Sequence, residues 1–165
     1  MCQKAIYPGT FDPVTYGHID IIKRALEIFP DLIVAVGDNS HKKPLLSVKE
    51  RVGLLKKATA GIEGAVVDSF NGLVVDYARK KKAAVLIRGM RMFSDFEYEF
   101  QMALTNRKLS PDIETIFLMP QVSYSYLSSK LLKEAAYLGA DLSSFVPDFV
   151  EAVLKKKIRS TGAAL

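Results

Sequence analysis

Short, almost wholly apolar runs alternate along this chain with longer stretches in which apolar residues recur every three or four positions. Ala5-Ile6-Tyr7, Leu32 to Val36, Ala65-Val66-Val67, Ala83 to Ile87 and Thr115 to Met119 are the runs. Their brevity and lack of polar interruption predict strands buried on both faces. The intervening stretches carry Ile19, Ile22, Ala25, Leu26 and Phe29, then Val48, Val52, Leu55 and Ala58, then Leu73, Val74, Tyr77 and Ala78. A fourth carries Phe96, Phe100, Ala103 and Leu104, again at the spacing of one inward helical face. Ser47 with Glu50, and Ser94 with Glu97, match the capping-box pattern, and Asn71 stands where a cap for the third helix is expected. A last periodic segment runs from Pro147 to Ile158, and residues 159–165 read as a flexible tail. Strand and helix thus alternate with no repeat, linker or composition break. This predicts a single α/β domain over residues 1–158, a doubly wound five-stranded parallel sheet.

Ligands of such sheets bind beyond the carboxyl ends of the strands, near the switch in strand order. The residues there are Thr10 after the first strand, Lys42 after the second, Arg88 and Arg91 after the fourth, and Ser128 and Ser129 after the fifth. All are expected on one rim. The stretch from Gly9 to His18, Gly-Thr-Phe-Asp-Pro-Val-Thr-Tyr-Gly-His, reads as a glycine-bearing turn running straight into a helix. Backbone N–H groups and the positive end of a helix dipole at such a turn suit an anion. The same dipole disfavours an imidazolium, so His18 is not expected to cap the helix. Arg88 and Arg91 flank Gly89, where planar guanidinium groups can hold phosphate oxygens in pairs or join Asp95 and Glu99 in ion pairs. Several anion sites on one rim imply two phosphate-bearing ligands or one polyphosphate.

Composition narrows this reading. The chain has 165 residues, 49% of them hydrophobic and 25% charged, a net charge of +5 and a single cysteine. Cys2 alone can form neither an internal disulfide nor a CxxC site. The excess positive charge says little, because Lys80-Lys81-Lys82 and Lys155-Lys156-Lys157 are expected at helix ends, where they complement the dipole. No aromatics interleave with them as a nucleic-acid surface would require. No run approaches the roughly 18 apolar residues of a membrane span, and no signal peptide is legible, so a cytoplasmic location is expected. GxGxxG, GxxxxGK[ST], HExxH and GxSxG are absent, as is any spacing that would build a metal site from protein ligands.

Thr15-Tyr16-Gly17-His18 resembles the T/H-x-G-H signature of the nucleotidyltransferase superfamily, and the longer stretch from Tyr7 resembles phosphopantetheine adenylyltransferases. That resemblance extends through Lys42-Lys43-Pro44, Leu86 to Arg91, Asp95 to Glu99 and Tyr124 to Lys133, in order, from Ala5 to the region of Ile158. It implies a Rossmann-like fold and transfer of the adenylyl group of ATP to 4′-phosphopantetheine, an acceptor whose phosphate attacks without a protein base. By the same resemblance, His18, Thr10, Lys42 and Arg91 are catalytic. ATP is expected at Thr10, Phe11, His18, Gly89, Met90, Arg91 and Glu99, and along Tyr124, Ser125, Tyr126, Leu127, Ser128, Ser129 and Lys130. Phosphopantetheine is expected at Thr10, Lys42, Val74 and Arg88. Mg²⁺ carried with ATP, a homohexameric assembly and regulation by coenzyme A are implied in the same way. The family's motif usually reads Ile-Ser-Ser-Ser or Ile-Ser-Ser-Thr, whereas this chain has Leu127-Ser128-Ser129-Lys130, which replaces a hydroxyl with an ammonium. Rival readings are the same fold acting on nicotinamide mononucleotide or glycerol 3-phosphate, and a non-catalytic nucleotide- or RNA-binding module.

Overall fold

The computed structural model describes residues 4–38 and 43–161. Its apolar runs form β1 (Ala5–Gly9), β2 (Leu32–Asp38), β3 (Ala65–Asn71), β4 (Val85–Gly89) and β5 (Glu114–Leu118), all parallel, in the order β3-β2-β1-β4-β5. The order reverses between β1 and β4. There the pairing is short: only Ala5↔Val85 and Ile6↔Leu86 are in register, while β1 pairs β2 along its whole length. Pro8, which has no N–H to donate, lies just past the last pair. Beyond Ile6 and Leu86 the two strands therefore open a crevice at their carboxyl ends.

Alternation along the strands divides the core. Ala5, Tyr7, Leu32, Val34, Val36, Val85 and Ile87 face one side. They pack there against α1 (Tyr16–Ile28), α2 (Val48–Thr59), α5 (Ser129–Tyr137) and α6 (Asp148–Thr161). Ile6, Ile33, Ala35 and Leu86 face the other, against Val75, Tyr77 and Ala78 of α3 (Val74–Lys81). A 3-10 turn, Val122–Tyr124, links β5 to α5.

Several expectations are corrected. Asn71 does not cap α3: it is the last residue of β3, held in register with Asp38, and Leu73 occupies the cap position with no side-chain bond. Ser94 does not open a capping box either. α4 (Phe93–Leu109) is already helical before Ser94, with Met92 at its cap position. Phe96, Phe100 and Leu104 do not point inward. They are 38%, 45% and 50% exposed, and Phe93, Phe96 and Phe100 stack in a row along the outside of the helix. Finally, α6 continues to Thr161, so Lys155 and Lys157 lie within it and not at its end. There they pair with Glu151 of the same helix and with Glu50 of α2.

Candidate active site

The crevice is bordered by the turn from Gly9 to Thr15, whose shape follows from its own residues. Phe11 adopts a positive φ of 50°, which folds its ring back over Gly9. A Cβ at position 9 would lie 2.8 Å from that ring, so only glycine fits there. The Phe11 ring meets Tyr7 and His18 edge-on, at centroid distances of 5.4 and 5.1 Å. Thr15 then caps α1, and His18 reciprocates: the Thr15 N–H donates to His18 Nδ1, while the His18 N–H donates to Thr15 Oγ1. His18 thus does cap the helix, contrary to expectation. It does so as a neutral ring, which the dipole permits. Burial, reinforced by the cations of Arg91 and Arg88, pushes its pKa down to about 4.

Three side chains lock the turn in place. Arg51 of α2, 1% exposed, donates to the carbonyls of Leu46, Thr10 and Gly37 at 3.1, 2.8 and 3.0 Å. Asp12, also buried, accepts the N–H groups of Leu45 and Leu46 at 3.0 and 2.9 Å and the Lys133 ammonium at 2.6 Å. Ser129 Oγ donates to the Pro13 carbonyl. The ends of β1 and β2, the loop before α2 and the start of α5 are therefore held as one unit.

Arg88 bridges the divergence of β1 and β4. Its Nη1 donates to the Pro8 carbonyl at 2.9 Å, and its Nε and Nη2 form a bidentate pair with Glu99 of α4 at 2.7 and 2.6 Å. Burial opposes its charge, but Glu99 outweighs that and raises the guanidinium pKa. Arg91 pairs with Asp95 at 3.3 Å and donates to the Leu127 carbonyl. Of the two pairings left open by the sequence, Arg88 takes Glu99 and Arg91 takes Asp95. Neither pair exhausts the donors of its arginine.

Two cavities meet at this point. The first, about 560 Å³, lies between the turn, β4 and α5. His18, Arg91, Tyr124, Ser129, Lys130 and Lys133 are among its walls. The second, about 590 Å³, lies over β2, β3 and α4 and is walled by Phe70, Leu73, Val74, Tyr98, Met102 and Asn106. Pro8, Gly9, Thr10 and Arg88 line both. The cation-rich cavity suits a polyphosphate, and the second, with apolar walls and the amides of Asn71 and Asn106, suits a ligand carrying both apolar and amide groups.

The first cavity gathers Thr10, Phe11, His18, Gly89, Arg91, Glu99, Tyr124, Leu127, Ser128, Ser129 and Lys130, as expected from the sequence. The second gathers Val74 and Arg88. Three expected contacts lie off these walls. Met90 gives its N–H to the Leu118 carbonyl, the Ser125 hydroxyl donates back to Val122, and Tyr126 is 60% exposed, edge-on to Phe145. Lys42 lies outside the described residues. Sequence reasoning missed Arg51, Asp12 and Lys133, since all their partners but the Leu46 carbonyl are 14 to 121 positions away. It also missed Asn106 and Tyr98, which sit on the helix read as core.

A family profile described as cytidylyltransferase-like matches residues 6–135. The phosphopantetheine adenylyltransferase of Caldanaerobacter subterraneus subsp. tengcongensis is 58% identical over 157 residues, covering 95% of this chain and 98% of the relative. The chain belongs to the phosphopantetheine adenylyltransferase family. The like-named protein of Moorella thermoacetica is 51% identical, covering 93% of this chain and 96% of its own length. That of Thermodesulfovibrio yellowstonii is 49% identical, with 96% and 99% covered. Among solved structures, a putative nicotinate-nucleotide adenylyltransferase from Vibrio parahaemolyticus superposes with a TM-score of 0.71 at 16% identity, over 93% of this chain and 99% of its own. That likeness supports the fold: a Rossmann-like nucleotidyltransferase sheet with helices on both faces. Family membership makes this chain a nucleotidyltransferase.

Proposed function

We propose that the protein transfers the adenylyl group of ATP to 4′-phosphopantetheine, giving dephospho-coenzyme A and pyrophosphate by direct in-line attack. The observation that carries this reading is the pair of cavities joined at Thr10 and Arg88. A triphosphate among His18, Arg91 and the start of α5 would bring its α-phosphorus to the shared rim. A pantetheine arm along Leu73, Val74 and Asn106 would bring its phosphate to Arg88 from the other side. The attacking oxygen forms a bond to the α-phosphorus as the bond to pyrophosphate breaks. A phosphate monoester has a second pKa of about 6 and is largely dianionic at neutral pH, so no protein base is needed. The protein's task is to align two mutually repelling anions and stabilise charge moving toward the leaving group. In this reading Thr10 contacts both substrates, and His18 donates to the phosphate oxygens in the transition state. Lys42 follows the acceptor phosphate, while Arg91, Tyr124 and the stretch from Leu127 to Lys130 hold ATP.

Mg²⁺ would arrive on the triphosphate and neutralise part of its charge. Among the described residues no group of three His, Cys, Asp or Glu side chains is placed to hold a metal ion, and the carboxylates of the first cavity, Asp12 and Glu99, already hold Lys133 and Arg88. Coenzyme A joins an adenylyl part to a pantetheine arm and would span both cavities, which supports its role as a feedback inhibitor. The exposed phenylalanine row of α4 supports self-association, and the resemblance to the family makes the assembly a homohexamer.

ATP made chiral at the α-phosphorus tests the direct attack. A single displacement inverts that centre, and retention would mean a covalent enzyme intermediate. Offering nicotinamide mononucleotide or glycerol 3-phosphate in place of 4′-phosphopantetheine tests the acceptor, and comparable turnover with either would overturn the assignment.

A further inference from the structure

Three contacts join Thr15 to His18. The Thr15 N–H donates to His18 Nδ1 at 3.0 Å, Thr15 Oγ1 lies 3.1 Å from the same nitrogen, and the His18 N–H donates to Oγ1 at 3.3 Å. A ring nitrogen that accepts an N–H bond carries no proton of its own, so the imidazole proton must sit on Nε2. Oγ1 already accepts from the His18 backbone, which leaves its hydrogen available to Nδ1 and gives that lone pair a second donor. Thr15 is 3% exposed, which limits competition from water for these bonds. The Phe11 ring, edge-on to the imidazole at an interplanar angle of 70°, holds the ring plane.

We propose that Thr15 is a positioning residue: by capping α1 through His18 it fixes that ring as a neutral Nε2–H donor aimed at the reacting phosphate. The catalytic part of this statement rests on the function proposed above; the protonation state does not. A donor set in the right tautomer before substrate arrives needs no reorganisation in the transition state. Loss of its orientation should lower kcat without weakening ground-state binding.

The test combines two-bond ¹⁵N–¹H spectra of the histidine rings with steady-state pyrophosphate release, on the full chain, Thr15→Val and Thr15→Ser. The chain has two histidines, and His41→Gln assigns the signals. The full chain should show the Nε2–H tautomer. Thr15→Val keeps the main-chain N–H but removes the hydroxyl, so it should loosen the ring and move its titration midpoint up toward the ordinary value of about 6.5. It should also lower kcat about ten-fold, with the KM for ATP held within about two-fold. Thr15→Ser should restore both readouts. An Nδ1–H ring in the full chain overturns the proposal, and that spectrum decides even if Thr15→Val does not fold. A Thr15→Val enzyme with unchanged kcat overturns it too, whether or not the ring spectrum moves, and leaves Thr15 a helix cap only. Absence of turnover by the full chain would instead count against the proposed reaction, with the ring spectrum still readable.

Discussion

His18 sits where a helix N-terminus needs an acceptor and phosphate chemistry needs a donor, and a neutral imidazole offers both at once. A carboxylate cannot: at the start of α2, Glu50 caps in the ordinary way, and the Ser47 hydroxyl bond holds its pKa down to about 2. That second box was legible as S-x-x-E. The first was not, because capping patterns are read from Glu and Gln, and the dipole argument rejected only the charged form of histidine. Replacing His18 with Ala should lower kcat by about 10²–10³, the usual cost of one transition-state donor, and leave the KM for ATP little changed. An unchanged kcat removes the role. By NMR, the His18 ring should titrate near pH 4, with the neutral form dominant throughout the physiological range. A midpoint above 6 would contradict the neutral cap. Arg88→Ala should raise the KM for 4′-phosphopantetheine at least ten-fold while ATP binding holds, since loss of a charge-assisted phosphate contact costs about 1.5–3 kcal/mol. Collapse of ATP binding with an intact acceptor KM would move Arg88 to the other substrate.

At the scale of elements, the strands and most helix faces could be read because burial imposes a period on the sequence. What could not be read are bonds made over long separations. Asp12 is an ordinary turn residue in the sequence, yet it ties the loop before α2 to Lys133 of α5. Removing one partner of such a buried pair typically costs about 3–5 kcal/mol. Asp12→Ala should therefore lower the unfolding free energy read from urea titration by a comparable amount, whereas a change within about 0.5 kcal/mol would show that the clamp does not stabilise the fold. The short register between β1 and β4 was equally hidden. Pro8 announces a missing donor but not which neighbour lacks it. The carboxyl-end rim was legible as a place, and its division into two cavities was not.

For the molecule as a whole, the apolar stripe of α4 was read correctly as a stripe and wrongly as core. Spacing alone cannot tell a face that packs inside a chain from one left on its surface. Phe93, 89% exposed, lies at the outer end of the stacked row. The full chain should sediment as a hexamer, and Phe93→Glu should shift it to smaller species; a monomer at micromolar concentration would leave the row without the proposed role. The central claim is that two cavities joined at Thr10 and Arg88 serve two phosphate-bearing substrates. Pyrophosphate release from ATP and Mg²⁺, measured with and without 4′-phosphopantetheine, tests it most directly. Release that depends on the acceptor is the expected result. Release at the same rate without it, or none with both substrates present, would contradict the claim.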